Sequence, residues 1–243
     1  MKAEREQETL MGIYRHFTAL KILKITGFFL IMLLACDNFF AESAFIRKVP
    51  ALMLCIYAAV ELCIFCRARR DYQKLYQAAY FDALTGIPNR LSADLYIRQC
   101  ASSPEITVAM ADLDGLKLVN DMSGHLAGDS MIRDFAVMFY NSALPGAYAF
   151  RNGGDEFLAV FSGKDSRQAA ARFCASLKEA VTRYNHSAVH PISYSIGCAS
   201  RSEYPDTSVS QLISYADSRM YHDKYLKKRY AQADTLSRKE EPT

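Results

Sequence analysis

Gly153-Gly154-Asp155-Glu156, set between residues typical of strands, puts two carboxylates directly after a double glycine. Two adjacent glycines let a tight hairpin turn take positive φ without a Cβ clash, and they leave room for a bulky phosphate to approach the backbone. Side chains alternate faces along a strand, so Asp155 and Glu156 are expected to point in different directions and to divide the work, one holding metal and the other handling a proton. Alone, such a turn is most often a solvated hairpin. A second acidic cluster changes that balance. The apolar run Ile106 to Ala111 ends in Asp112-Leu113-Asp114, and the same connection goes on through Lys117, Asn120-Asp121, Gly124-His125 and Gly128-Asp129. Mg²⁺ prefers a few carboxylates completed by carbonyls, waters and substrate phosphates, which a carboxylate from each of two neighbouring strands supplies. Asp112 and Asp155 are the candidate ligands. Two such ions close together stabilise both the attacking and the leaving oxygen of a phosphoryl displacement, as nucleotidyl transfer requires.

The elements that must position these groups follow from periodicity. Strands are expected near Ile106–Leu113, Ala147–Asn152, Glu156–Phe161 and Ser193–Ala199. Helices are expected at Leu91–Cys100, Leu126–Tyr140, Arg167–Tyr184 and Val209–Lys227. Helices interrupting an antiparallel sheet make an α+β fold, with acids on adjacent central strands.

The order of the motifs is more specific than any one of them. Asp82-Ala83-Leu84-Thr85-Gly86-Ile87-Pro88-Asn89-Arg90 comes first, then Asp112 to Asp129, then Gly153 to Phe157, Ser195-Ile196-Gly197, and Ala216 to Lys224. Over roughly residues 80 to 228 this chain resembles a GGDEF-domain diguanylate cyclase. The resemblance implies a ferredoxin-like nucleotidyl cyclase palm that condenses two GTP into cyclic di-GMP with release of pyrophosphate, with Mg²⁺ or Mn²⁺ as cofactor. It implies Asp112, Asp155 and the Leu113 carbonyl as metal contacts. Glu156 would bind metal or help activate the 3′-hydroxyl. Asn120 and Asp129 match the guanine-reading positions, and a carboxylate suits the N1–H and exocyclic amine of guanine. Lys117, Lys224 and Lys228 would neutralise the triphosphate, with the turn glycines Gly153 and Gly154 giving it room. Because each domain holds one GTP and the product needs two, activity implies a homodimer, formed through the catalytic domain and a helical linker.

Three departures stand out. Lys228 falls where the family usually has arginine, so a point charge replaces a bidentate fork. Gly115-Leu116 replaces a pair of phenylalanines whose backbone amides face the phosphates, a change that keeps those amides. The Arg-x-x-Asp product-inhibition site found five residues before the double glycine in many relatives reads Leu144-Pro145-Gly146-Ala147, so feedback through it is expected to be absent. The rival reading is a catalytically silent domain that binds GTP or cyclic di-GMP as a signalling module. Against it stand the intact Asp112, Asp155 and Glu156. His125 reads as part of a structural turn, and Asp82 with Arg90 as a capping and salt-bridge pair.

The first third of the chain differs in character. Ile22 to Cys36 is largely apolar, and Val49 to Cys66 is interrupted only by Glu61. These runs are expected to form a two-helix transmembrane hairpin contacting membrane lipid, with basic residues at both ends placing the termini and the catalytic domain in the cytoplasm at the cell membrane. A helical hairpin or dimerisation bundle outside the membrane is the alternative. The organisation expected is a cytoplasmic segment at 1–20, the hairpin at 21–66, a linker helix at 67–80, the catalytic domain at 81–230 and a disordered tail at 231–243. Leu62, Phe65, Tyr72, Leu75 or Tyr76, and Ala79 recur at spacings near three and four, so the segment entering the catalytic domain is expected to continue as a helix that pairs with its copy. Seven cysteines show no zinc spacing, and a formal charge of +3 is too small to argue for a nucleic-acid partner.

Overall fold

The computed structural model describes Lys24, Gly27, Phe28, Ile31, Met32 and residues 49–143 and 147–240. The chain divides into two compact units, Met1–Gln73 and Lys74–Thr243.

In the first unit the described residues are helical. Helix α1, Val49–Tyr80, runs through the second apolar stretch and on across the boundary between the units. Among the described residues, no helix is long and apolar enough to cross a membrane. This overturns the expected two-span hairpin, its lipid partner and its cell-membrane location. The apolar stretch of α1 is broken by Glu61, whose carboxylate pairs with Lys24 at 2.6 Å. Arg67, Arg69, Arg70, Asp71 and Lys74 then follow, so the helix falls short of the ~20 continuous apolar residues a span needs. Most of the first apolar run, 22–36, lies outside the described residues. Leu62, Phe65 and Leu75 are exposed on α1.

The second unit has the expected architecture. After helix α2 (Arg90–Cys100) come strand β1 (Ile106–Asp114), helix α3 (Leu116–Ser123), helix α4 (His125–Ser142), strands β2 (Ala147–Gly153) and β3 (Glu156–Ser162), helix α5 (Ser166–Asn185), strand β4 (Ser193–Ser200) and helix α6 (Val209–Glu240). The sheet order is β2-β3-β1-β4, and all three pairings are antiparallel. The two central strands are β1 and β3, the ones that end in acids. β1 is buried on both faces from Ile106 to Leu113, which explains its uninterrupted apolar run. On one face Ala109, Ala111, Leu113, Phe157, Ala159 and Phe161 pack against Phe135 and Phe139 of α4 and Phe173 and Leu177 of α5. On the other, Val108, Met110, Leu158 and Val160 pack against Ala93 of α2 and Leu212, Ala216 and Met220 of α6.

The short α3 was not among the expected elements. At eight residues it is too short for periodicity to identify by itself, and Gly115 and Gly124 at its ends read as loop signals. α6 continues to Glu240, into the segment expected to be a tail, since no glycine or proline interrupts it before Pro242.

Candidate active site

The register of the sheet builds the site. β1 and β3 pair so that Asp112 stands opposite Glu156, and the Leu113 N–H donates to the Asp155 carbonyl at 3.1 Å. Two motifs more than forty positions apart in sequence are thus hydrogen-bonded neighbours at one end of the sheet. The β2–β3 connection is irregular between Arg151 and Gly153, and Gly154 takes φ +52, so the double glycine makes the tight reversal that sets Asp155 and Glu156 beside β1. Glu156 accepts a hydrogen bond from the Asn152 carboxamide at 3.0 Å, which holds its carboxylate.

Asp112 is buried, and its Oδ1 accepts from the Lys224 ammonium at 2.5 Å. Burial, opposed by that hydrogen bond and reinforced by the charges of Asp155 and Asp114, raises its pKa above the ordinary aspartate value. The Lys224 pKa is also raised: burial works against the ammonium, but Asp112 and the neighbouring Asp155 and Asp114 outweigh it. The cluster therefore lacks positive charge, and Lys224 supplies part of what a cation would supply. Among the described residues no three His, Cys, Asp or Glu side chains converge to hold a metal by themselves.

Two clefts share Lys224 and Lys228. One, of about 800 Å³, is lined by Leu113, Asp155, Gly115 and Lys117 besides these lysines. The other, of about 560 Å³, holds Asp112, Glu156, Asp217 and Tyr221. Gly115 sits at the N-cap of α3 with φ +73 and no side-chain cap, so the first amides of α3 have no capping partner beside the acids. Uncapped helix amides and three lysines thus lie side by side, a combination of free N–H donors and positive charge.

Asn120 and Asp129 lie apart from these clefts, at the α3–α4 junction. Gly128 is buried, and a Cβ there would lie 2.0 Å from the Asn120 Oδ1 and 3.2 Å from the Leu116 side chain, so a side chain at 128 must push the Asn120 carboxamide aside. Asp129 reaches Arg133, one turn on, at 4.0 Å.

Several supports were not legible as such. Asp82 pairs with Arg151 at 2.7 Å and not with Arg90, and the α2 N-cap is Asn89, whose Oδ1 accepts from the Ser92 N–H. The correction has a topological cause: Asn89 and Arg151 are bridged side by side, which brings the first motif against β2. Arg151 also donates twice to the Gly154 carbonyl, so one guanidinium joins Asp82 to the double-glycine turn. Asp114 accepts from both the Ser193 and Ser195 hydroxyls, tying the end of β1 to β4. The alternation of serines in β4 was the available signal.

Residues 79–229 match the family model described as "Diguanylate cyclase, GGDEF domain". The chain belongs to the GGDEF family. This GGDEF domain is 31% identical over 161 residues to the diguanylate cyclase DgcS of Shewanella oneidensis, covering 63% of this chain and 52% of that protein. It is 30% identical over 168 residues to the diguanylate cyclase VdcA of Vibrio cholerae, covering 66% of this chain and 48% of that one. The chain thus spans about half the length of the curated relatives it matches. Among solved structures, the coiled coil and GGDEF domain of DgcB from Caulobacter crescentus, in complex with c-di-GMP, aligns with a TM-score of 0.59 at 27% identity, covering 73% of this chain and 95% of that one.

Proposed function

We propose that this chain is a diguanylate cyclase that condenses two GTP into cyclic di-GMP and two pyrophosphates at a homodimer interface. The observation that carries the reading is the pairing of Asp112 with Glu156, with Asp155 bonded through its carbonyl to Leu113, beside a lysine-lined cleft. Asp112, Asp155 and the Leu113 carbonyl would hold a divalent cation, Mg²⁺ or Mn²⁺, and Glu156 would either join them or take the proton of the 3′-hydroxyl. When bound, the cation neutralises charge on the reacting phosphate and on the departing pyrophosphate. The α3 amides after Gly115, at Leu116 and beyond, bind the triphosphate together with Lys117, Lys224 and Lys228, and Gly153 and Gly154 leave room for it. Lys224, whose ammonium rests on Asp112, would be free to bind the phosphates with a cation on that carboxylate. Asn120 and Asp129 read guanine. Two such half-sites face each other, each 3′-hydroxyl aimed at the other nucleotide's α-phosphate, so that much of the rate comes from orientation. The exposed Leu62, Phe65 and Leu75 of α1 support pairing through the helical linker.

The test is incubation of the full chain with GTP and Mg²⁺ and chromatographic identification of the nucleotide product, against an Asp155→Ala, Glu156→Ala double variant. Cyclic di-GMP from the parent and none from the variant is expected. No product from a dimeric, GTP-bound parent would overturn the cyclase and leave a nucleotide-binding module.

A further inference from the structure

Away from the carboxylates, α5 lies over the edge strand β4 and brings two thiols together. Cys174 of α5 and Cys198 of β4 are 24 positions apart in sequence, and their sulfurs stand 3.6 Å from each other, both half-buried. They line a cavity of about 170 Å³ that also holds Arg167, Arg219 and Glu203. Glu203 pairs with Arg167 at 3.1 Å and with Arg219 at 2.8 Å, so two guanidiniums face one carboxylate and the cavity wall keeps a net positive charge. Arg219 also donates to the Cys198 carbonyl at 2.5 Å, which anchors that residue to α6. Neither thiol has a part in the site described above.

We propose that Cys174 and Cys198 are an oxidant-sensitive modification site, at which a small hydroperoxide entering this cavity converts the thiol pair to a disulfide. The geometry supplies close sulfurs and a positively charged wall. A disulfide needs its sulfurs at about 2.05 Å, and two thiols already in hydrogen-bond contact close that gap by side-chain rotation. The nucleophile is a thiolate, which positive surroundings favour. Either thiol can donate to the other across this contact, and with Cys198 as the donor the hydrogen bond lowers the Cys174 pKa against the opposing effect of burial. Cys198, as donor and as the more buried group, is held well above the ordinary thiol range. The two therefore have distinct roles.

The Cys174 thiolate attacks the terminal oxygen of the hydroperoxide, an S–O bond forms as the O–O bond breaks, and the alcohol (water, for hydrogen peroxide) leaves with a proton. Cys198 then gives up its proton and its sulfur attacks the sulfenic sulfur, forming the S–S bond and expelling hydroxide, which leaves as water. Two thiols are oxidised by two electrons and one hydroperoxide is reduced by two. The product ties α5 to β4 next to β1, since Cys198 is paired in register with Ala109.

The experiment uses the reduced full chain exposed to hydrogen peroxide, with remaining thiols blocked by N-ethylmaleimide and the digest mapped by mass. The expected result is a linked peptide pair joining Cys174 to Cys198, lighter than the two reduced peptides by two hydrogen atoms, formed before unfolding. In Cys198→Ser, Cys174 accumulates as a sulfenic acid trapped by dimedone, whereas in Cys174→Ser the remaining Cys198 stays alkylatable once the chain is unfolded. Absence of the linked pair from folded, peroxide-treated parent while the exposed Cys55, Cys63 and Cys66 are oxidised would overturn the proposal. So would equal dimedone trapping in both variants. The parent measurement stands even if a variant fails to fold, and none of the readouts depends on GTP turnover.

Discussion

Gly128 controls the geometry of a side chain eight positions before it. A methyl group at 128 meets the Asn120 Oδ1 at 2.0 Å, so Gly128→Ala must displace the carboxamide. Steady-state kinetics of this variant should show KM for GTP raised roughly fivefold, the equivalent of about 1 kcal/mol for one lost hydrogen bond to the base, with Asn120→Ala giving a comparable rise. An unchanged KM would remove Asn120 from guanine reading. A second prediction concerns Asp82. Burial raises its pKa, but the Thr85 hydroxyl and the Arg151 guanidinium outweigh burial and hold it below the ordinary 3.8. A carboxylate with a depressed folded pKa contributes stability above its unfolded pKa and loses that contribution as pH falls through the folded value. Asp82→Asn should therefore be less stable than the parent by about 1–3 kcal/mol near neutral pH, because Arg151 is left unpaired. Denaturation curves taken at successively lower pH should converge below the usual aspartate range. Curves that stay equally separated in acid would show that the charge has no part in the clamp. At this scale the sequence was most legible where residue type and chemistry coincide, as at Asp112, Asp155 and Glu156. It was least legible where a partner is chosen by topology: nothing between Asp82 and Arg151 reveals that the loop before α2 lies against β2.

The strands were readable because each departs from its surroundings in a way only burial explains. β1 is apolar throughout, and β3 is apolar after two acids. The helices α4 and α5 were found from their spacing, and α3 was missed because eight residues between two glycines are too few for a period to stand out from a loop. Tight packing between elements was equally silent. Gly197 on β4 lies so close to α6 that a Cβ would stand 2.2 Å from the Ala216 carbonyl oxygen and 2.3 Å from the Met220 nitrogen. Both are backbone atoms and cannot rotate away, so Gly197→Ala forces α6 off the sheet. Overpacking of this kind costs about 1–3 kcal/mol, visible as a lower melting temperature. Because α6 carries Lys224, the same shift loosens the contact with Asp112, and turnover should fall by more than stability alone accounts for. A variant with parent-like melting temperature and turnover would show that the strand absorbs the methyl group.

For the whole molecule, the expectations came from two different kinds of signal. The catalytic fold was carried by motif order, and the sheet bears it out. The membrane hairpin rested on apolar runs alone, and the charges within and after the second run, from Glu61 to Lys74, are what that reading underweighted. The proposed cyclase would depend on pairing and on feedback. Positions 144 and 147 hold leucine and alanine where many relatives have the arginine and aspartate of the product site. Added cyclic di-GMP should thus leave the initial rate unchanged at concentrations where a retained site would be saturated, because neither charged group of that site is present. Strong inhibition would place a product site elsewhere on the surface. The claim that two half-sites must meet is tested most directly by following cyclic di-GMP and pyrophosphate together from GTP and Mg²⁺ over a series of chain concentrations. Two pyrophosphates per cyclic di-GMP, at a rate per chain that rises with concentration to a plateau, is the predicted result. Product formed at a rate per chain independent of concentration by a chain that remains monomeric, or no cyclic product at any concentration, would contradict it.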